Sequence, residues 1–503
     1  MARIPTLSVT KAEMTAPFVV ALDVGSTASR GGLYDSTGRP VHGSKQRVAH
    51  TFTTRSGGVS TIDADQVVRE CATILDGIAG FAAEAGLESS LRGVCLDTFA
   101  SSLVLVDAHG QAITPCITYA DSRSRDAVAR LRRELDESAY HARTGVRLHT
   151  SYLPARLAWL ADTSPDRIRS TAAVMSLGEY VWHRLAGVRG LARSTAAWAG
   201  ILDAHTGELD TPILSHVGAD PSWFAPLVDP DEPLTPAADS TAAAQWPALS
   251  RLPWFAAIPD GWASNVGPAA TGPDTVAVAA ATSGAMRVIL PEVPADIPAG
   301  LWCYRLSRSS CIVGGALNDV GRAITWLEDT VRPVESGDLA AALTGDPLDD
   351  VPTVLPFFSG ERSTGWAADA RAAFVGITSG TGPLELWRGV VEGLATSYSR
   401  IWGELVEAGA RPRRVVASGR ATSEHPEWLQ PLADALGTPV APLEMKRATL
   451  RGTALIALEA LGVARPSKLP FGRPYEPAGA DRADYYRALR ERFDACYPVT
   501  SKS

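Results

Sequence analysis

Apolar and polar positions along this chain fall into blocks with two distinct periods. Val19 to Leu22 is an unbroken apolar run, Asp23 ends it, Gly25, Ser26 and Thr27 make a polar turn, and Gly31 to Tyr34 leads away. A short apolar run closed by turn residues predicts a buried strand, so this stretch predicts a strand–turn–strand hairpin. A third strand is expected near Val41–His50. From about Ala64 to Ala85 the period changes, and Val67, Val68, Cys71, Ile74, Leu75 and Ile78 recur at helical spacing. Gly93–Leu96 predicts a buried strand. Ser102–Asp107 and Gln111–Tyr119 predict a hairpin about Ala108-His109-Gly110, and Ser124–Leu135 and Leu153–Ala161 predict helices. Pro, Asp and Ser cluster from Asp220 to Leu252, which predicts connecting chain.

The second half repeats the plan. Val276–Leu290 is again apolar strand, hydroxyl-rich turn (Thr282-Ser283-Gly284), apolar strand. Strands are expected at Trp302–Leu306 and Cys311–Gly314, and a helix at about Asp319–Val331. Thr381–Ala408 predicts a long helix with Pro383 in its first turn, an apolar stripe through Val390, Leu394, Tyr398, Ile401 and Leu405, and Gly409 as its stop. A strand at Arg414–Ala417 and helices at Glu427–Leu436 and Arg451–Leu461 follow. Alternation of strand and helix is the α/β class. Recurrence of the hairpin half a chain later predicts two related domains facing one cleft.

Composition narrows the picture. At 503 residues the chain is too long for one core. The net charge of −8 and the scattered Lys and Arg argue against a nucleic-acid partner. No apolar run approaches membrane-spanning length, and residues 1–17 lack the apolar core of a secretory signal. A cytoplasmic protein with a loose leader before Phe18 is therefore expected. The six cysteines show no metal-site spacing, which predicts reduced thiols.

The candidate chemistry sits on the turns. Adjacent backbone N–H groups in a turn form a concavity that holds phosphate oxygens, and an Asp beside it can hold Mg²⁺. The first hairpin alone supports an ordinary turn equally well; its recurrence favours a nucleotide gripped from two sides. The chain contains neither a P-loop nor a dinucleotide fingerprint. Asp260, in Pro259-Asp260-Gly261, lies where a base should reach a substrate hydroxyl. Asp-Gly is also a plain turn dipeptide.

In these motifs the chain resembles the FGGY family of carbohydrate kinases, from about Phe18 to Leu469, nearest to its gluconate-kinase-like and pentulose-kinase-like members. Asp23–Arg30 resembles the first phosphate motif, and Tyr119-Ala120-Asp121-Ser122-Arg123 the aromatic-x-Asp-x-Arg motif. Tyr152 resembles a sugar-pocket aromatic, and Asp260 falls on the catalytic base. Thr282-Ser283-Gly284 resembles the second phosphate motif, Gly360-Glu361-Arg362 the Gly-Glu-Arg signature, and Ser418-Gly419-Arg420-Ala421 the adenosine turn. The resemblance implies two actin-like (ribonuclease H-like) domains with a nucleotide and sugar cleft between them. It implies a leader 1–17, a sugar-binding domain 18–267, an ATP-binding domain 268–490 and a tail 491–503. ATP would meet Gly25, Ser26, Thr27, Arg30, Thr282, Ser283, Gly284, Asn318, Gly419 and Arg420. A small sugar, sugar acid or polyol would meet Thr98, Phe99, Ser101, Tyr152 and Asp260, and Mg²⁺ would lie near Asp23 and Asp260. A homodimer is implied as well.

The chain departs from the family pattern at three glycine positions, occupied here by Pro259, Ala281 and Arg420. Residues 97–102, Asp-Thr-Phe-Ala-Ser-Ser, put small side chains where relatives have bulkier Trp and His, which predicts a wider or differently polar acceptor pocket. Two rival readings stand beside a sugar kinase. One is a kinase-fold binding or regulatory protein without transfer activity; the other is an acceptor-independent ATPase. Asp121 with Arg123 is expected to be a structural ion pair, Glu361 and Arg362 to serve an interdomain or structural salt bridge rather than catalysis, and His149 to be a surface or core residue.

Overall fold

The computed structural model describes residues 8–10, 12–445, 447–465 and 471–500. Residues 1–7 and 11 of the expected leader, 501–503 of the expected tail, and Leu469, where the resemblance ends, lie outside them. The chain forms two compact units. Two segments expected in the second domain, Cys303–Cys311 and the helix Ala448–Ala460, pack with the first unit, which otherwise runs to Ala269.

The first unit is built on a five-stranded sheet in the order Ile258–Pro259, Leu91–Thr98, Phe18–Val24, Ala28–Tyr34, Gln46–Ala49. The expected hairpin is present, with Asp23 paired to Arg30 across it. Leu91–Thr98 runs parallel to Phe18–Val24, with Asp97 opposite Asp23. Ile258–Pro259 runs parallel on the far side, with Ile258 opposite Asp97. Every residue of Phe18–Val24 is buried, which explains its continuous apolar run: a central parallel strand is covered on both faces. The helix Ala64–Ala85 has the predicted bounds. Asp63 caps its first amides and Gly86, at φ 69°, ends it. Cys71, Ile74, Leu75 and Ile78 bury its apolar stripe.

The helix Ala448–Ala460 lies against the helix Asp260–Val266 at backbone distance. A Cβ at Gly452 would stand 1.9 Å from the Ala263 carbonyl oxygen, and one at Gly267 would stand 1.8 Å from that of Ala448. Only glycine permits such an approach. Arg451 Nη1 closes the contact by donating to the Gly267 carbonyl at 2.6 Å.

The described part of the leader is not loose. The Val9 amide donates to the Pro40 carbonyl at 2.9 Å, the Val9 carbonyl accepts from His42 N at 2.9 Å, and the side chain is 1% exposed in the core. An apolar side chain with a strand partner does not stay in solvent.

In the second unit the order is Ser310–Leu317, Gly284–Leu290, Thr275–Ala280, Arg414–Ser418, Val440–Pro442. The arrangement repeats that of the first: an antiparallel hairpin whose first strand also pairs in parallel with a later one. The long helix spans Pro383–Glu407, within the predicted span, and Gly409 follows at φ 101°. A final helix, Ala480–Cys496, crosses the expected border at 490 and buries Arg482, Tyr486, Leu489 and Phe493. Residues 491–496 are therefore part of the fold rather than a tail. Among the described residues no helix is long and apolar enough to cross a membrane.

Candidate active site

The first turn closes with Gly25 N donating to the Ala28 carbonyl at 3.1 Å, leaving Ser26 and Thr27 exposed at its tip. It is held from beneath by a network that the sequence analysis did not identify. His50 contacts the Gly25 carbonyl through Nε2 and Glu70 Oε2 through Nδ1, both at 2.8 Å. Ser29 Oγ donates to the same Glu70 oxygen at 2.7 Å, and Gln66 donates to the other at 2.9 Å. Burial works against charge on His50, but the Glu70 carboxylate and the Gly25 carbonyl outweigh it and hold the imidazole above its ordinary pKa. Burial likewise raises Glu70, and its three donors, His50 first, bring it below the usual carboxylate range.

Three carboxylates stand at the ends of the three parallel strands. Asp23 is 6% exposed and accepts from Arg30 Nη1 at 3.2 Å. Asp97 is fully buried; one of its oxygens accepts from Thr453 Oγ1, and a further hydrogen bond joins its side chain to that of Asp23. Asp260 is half-buried and opens the helix Asp260–Val266. Burial is the main force raising the Asp97 pKa, and the charges of Asp23 and Asp260 add to it. Burial also raises Asp23, against the pull of Arg30. A Cβ on Gly261 would lie 3.1 Å from the Trp198 ring. Trp198 stacks on Tyr304 with centroids 4.0 Å apart, and Tyr304 Oη shares a 2.8 Å hydrogen bond with Tyr152 Oη. Tyr152 thus reaches the neighbourhood of Asp260 through Tyr304 and Trp198. The Tyr119 phenol bonds to Ser26 and is pushed up by burial and then by the charge of Asp260.

The expected acceptor residues Thr98, Phe99 and Ser101 line one cavity of about 20 Å³, together with Leu153, Trp198 and Pro259. That volume holds a water or a methyl-sized group. Phe99 is core, 1% exposed and edge-on to Phe52 at 5.0 Å. Ser101 adopts φ 56°, rare for a residue with a side chain, and is tied down on both sides. Its Oγ donates to the Trp198 carbonyl at 2.6 Å, and its own carbonyl accepts from Arg156. Asp121 accepts from Arg123 at 2.8 Å, and Glu361 pairs with Arg400 at 2.7 Å; both are ion pairs within a unit. The His149 ring lies 6.4 Å from that of Tyr152.

In the second unit the turn at Ala281–Ser283 is docked on a helix start. Gly321 N donates to the Ala281 carbonyl at 2.8 Å, and Val320 N and Arg322 N donate to that of Thr282, both at 3.2 Å. The positive end of the helix Gly321–Thr330 therefore abuts the turn. A cavity of about 200 Å³ opens beside it, lined by Thr282, Arg322, Glu328, Arg420, Glu424 and His425 among others. Gly419 approaches the strand Thr275–Ala280 so closely that a Cβ would meet the Ala280 carbonyl oxygen at 2.2 Å, and its φ is 107°. Gly284 is also tight: a Cβ there would lie 2.1 Å from Tyr398 Oη. Ser283 and Gly284 do not line this cavity, and neither does Asn318. The Asn318 amide instead donates to the carbonyls of Ser359 and Gly360 at 3.1 and 3.0 Å. At the three departures from family glycine the backbone needs none: Pro259 has φ −69°, and neither Ala281 nor Arg420 is at positive φ.

Among the described residues no three acidic, His or Cys side chains form a metal cage. Magnesium of another kind, carried on phosphate with most of its shell as water, would need only one or two protein carboxylates, and Asp23 and Asp260 are of the right chemistry to supply them. Asp23 and Asp97 crowd together there, with a hydrogen bond between their side chains and both carboxyls pushed up, a setting that a cation would relieve.

Comparison with known proteins gives one consistent result. A model described as "FGGY family of carbohydrate kinases, N-terminal domain" matches residues 18–267, and the C-terminal counterpart matches 280–461. The chain is 24% identical over 463 residues to a gluconokinase of Bacillus subtilis (strain 168), covering 88% of each. It is 29% identical over 365 residues to a xylulose kinase of Streptomyces rubiginosus, covering 69% of this chain and 68% of that one. Its fold matches a gluconate kinase from Lactobacillus acidophilus with a TM-score of 0.87 at 21% identity, over 97% of this chain and 100% of that one.

Proposed function

The chain belongs to the FGGY family of carbohydrate kinases, and from that premise we propose that it transfers the terminal phosphoryl of ATP to a hydroxyl of a small sugar, sugar acid or polyol, with Asp260 as general base. The observation that carries this reading is the half-buried Asp260 at the end of a parallel strand, beside the buried Asp23 and Asp97. As the acceptor oxygen bonds to the γ-phosphorus, its proton passes to the Asp260 carboxylate. The bond from that phosphorus to the β-phosphate oxygen breaks, and ADP leaves with the electron pair. Magnesium on the nucleotide, met by Asp23 and Asp260, would neutralise phosphate charge. In the first unit the backbone of the Gly25–Thr27 turn would hold phosphate, and in the second unit that of the Thr282 turn would. Tyr152, Tyr304 and Trp198 would fix the acceptor side.

A panel of sugars, sugar acids and cyclitols in a coupled ADP-release assay tests the reading and separates its rivals. Turnover that requires an acceptor, and that falls by roughly 10²–10⁴-fold in Asp260→Asn with ADP binding kept, supports it. Turnover without acceptor, or an Asp260→Asn enzyme of full activity, overturns it. Small side chains at residues 97–102, where relatives carry bulkier Trp and His, favour an acceptor other than gluconate or xylulose; the 20 Å³ cavity that Thr98, Ala100, Ser101 and Ser102 line is itself too small to hold one. A thermal-shift preference for either of those two alone would refute that part.

A further inference from the structure

The cavity beside Thr282 matches each of its cations with a carboxylate, and the matches differ in strength. Arg322 Nη1 donates to Asp319 at 3.0 Å and to Ser359 Oγ at 2.6 Å. Asp319 is itself buried and accepts from Ser359 N at 2.7 Å, so Arg322 is held by a fixed partner. His425 lies between Glu328, at 3.3 Å, and Glu427, at 3.6 Å. Among the described residues the Arg420 side chain has one hydrogen-bonded partner: its Nε donates to both oxygens of Glu424 at 2.8 Å, one helical turn along, and its side chain is 81% exposed.

Such an exposed pair contributes little, because water screens it and two long side chains must be ordered. A guanidinium on a phosphate forms charge-assisted bonds that are stronger and can be bidentate. The backbone beneath Arg420 is fixed while its side chain is not. Ser418 pairs with Ala279 in the sheet, Gly419 is pressed onto Ala280, and Arg420 emerges next, beside the strand that leads into the Ala281–Ser283 turn.

Resting on the kinase reading, the geometry points to an ion-pair exchange: Arg420 leaves Glu424 when a nucleotide enters this cavity and bonds to a phosphate oxygen, with Glu424 as its resting counter-ion. Arg420 is then a phosphate-reading residue at a position where the family pattern has glycine, and Glu424 is a brake on nucleotide affinity. No covalent step is involved.

Isothermal titration of the full chain with ADP plus magnesium, and separately with adenosine, tests this. Arg420→Ala should weaken ADP at least tenfold and leave adenosine within twofold. Glu424→Gln should tighten ADP about twofold, the worth of the exposed pair it removes. Unchanged ADP affinity in Arg420→Ala overturns the exchange. So does an equal loss for adenosine, which would place the guanidinium on the base, or weaker ADP binding in Glu424→Gln, which would make that carboxylate a ligand. If the unaltered protein binds no ADP, the kinase reading falls and this inference with it. If the unaltered protein binds ADP and Arg420→Ala matches it, only this inference falls.

Discussion

His50 stands between two acceptors, Glu70 Oε2 and the Gly25 carbonyl. Both can be satisfied only if both ring nitrogens carry protons, that is, if the ring is imidazolium. Glu70→Gln tests what this is worth to the first turn. The amide can donate to Nδ1 of a neutral ring whose Nε2–H still serves Gly25, so the variant prefers neutral His50 and the wild type prefers the charged form. Below the ordinary histidine pKa of about 6.5, the wild type keeps a charge-assisted bond worth roughly 1.5–3 kcal/mol that the variant lacks. Because the folded pKa of His50 is raised, that contribution is complete below the unfolded value and fades as pH rises through the folded one. The Glu70 side has the opposite sign: its lowered folded pKa contributes above the unfolded value of about 4.3 and is lost as pH falls through the folded one. The deficit of Glu70→Gln should therefore be greatest near pH 6 and shrink towards pH 9. Protection of the Gly25 amide, bonded to Ala28, measured by hydrogen exchange at both pH values, is the assay. A loss of about 2 kcal/mol, roughly thirtyfold in protection, is expected at pH 6. NMR titration of His50 should show its pKa fall in the variant. A deficit independent of pH, or an unmoved His50, would refute the reasoning.

Two further outcomes follow from packing. Gly419→Ala should lower the melting temperature and abolish ADP binding in titration, since its Cβ would meet the Ala280 oxygen at 2.2 Å and the φ of 107° already disfavours a side chain. Deleting residues 1–10 removes Val9 from the core and should cost about 2 kcal/mol, read as a fall of several degrees in thermal unfolding, whereas a loose leader would leave the curve unmoved.

Local pattern carried much of the fold. The helix Ala64–Ala85 was legible because Asp63, the stripe through Ile74 and Ile78, and Gly86 all agree. Both hairpins and their turns were legible for the same reason. The final helix Ala480–Cys496 was not, because its buried face is spread over Arg482, Tyr486, Leu489 and Phe493 in an otherwise charged segment. Around the candidate site, the turn residues and Asp260 stood out through chemistry and spacing. Tyr304 and Thr453 did not, because nothing local says that a tyrosine reaches Tyr152 or that a threonine reaches Asp97. Asp97 was hidden differently: it closes an apolar strand and looks like the start of a loop. His50 and Glu70 are separated by two short strands and a helix start, and only the tertiary fold brings them under Gly25.

The helix Ala448–Ala460 and the hairpin Cys303–Cys311 are folded into a unit whose remaining sequence ended long before them. No single cut therefore yields an intact first half. A fragment ending at Gly267 would leave Asp97 without Thr453, and the Ala263 carbonyl facing solvent where Gly452 should cover it. The same holds for recombination between relatives. A chimera that borrows its second unit must retain 303–311 and 447–465 from the parent of the first, or Gly452 and Gly267 will meet backbones they were not matched to.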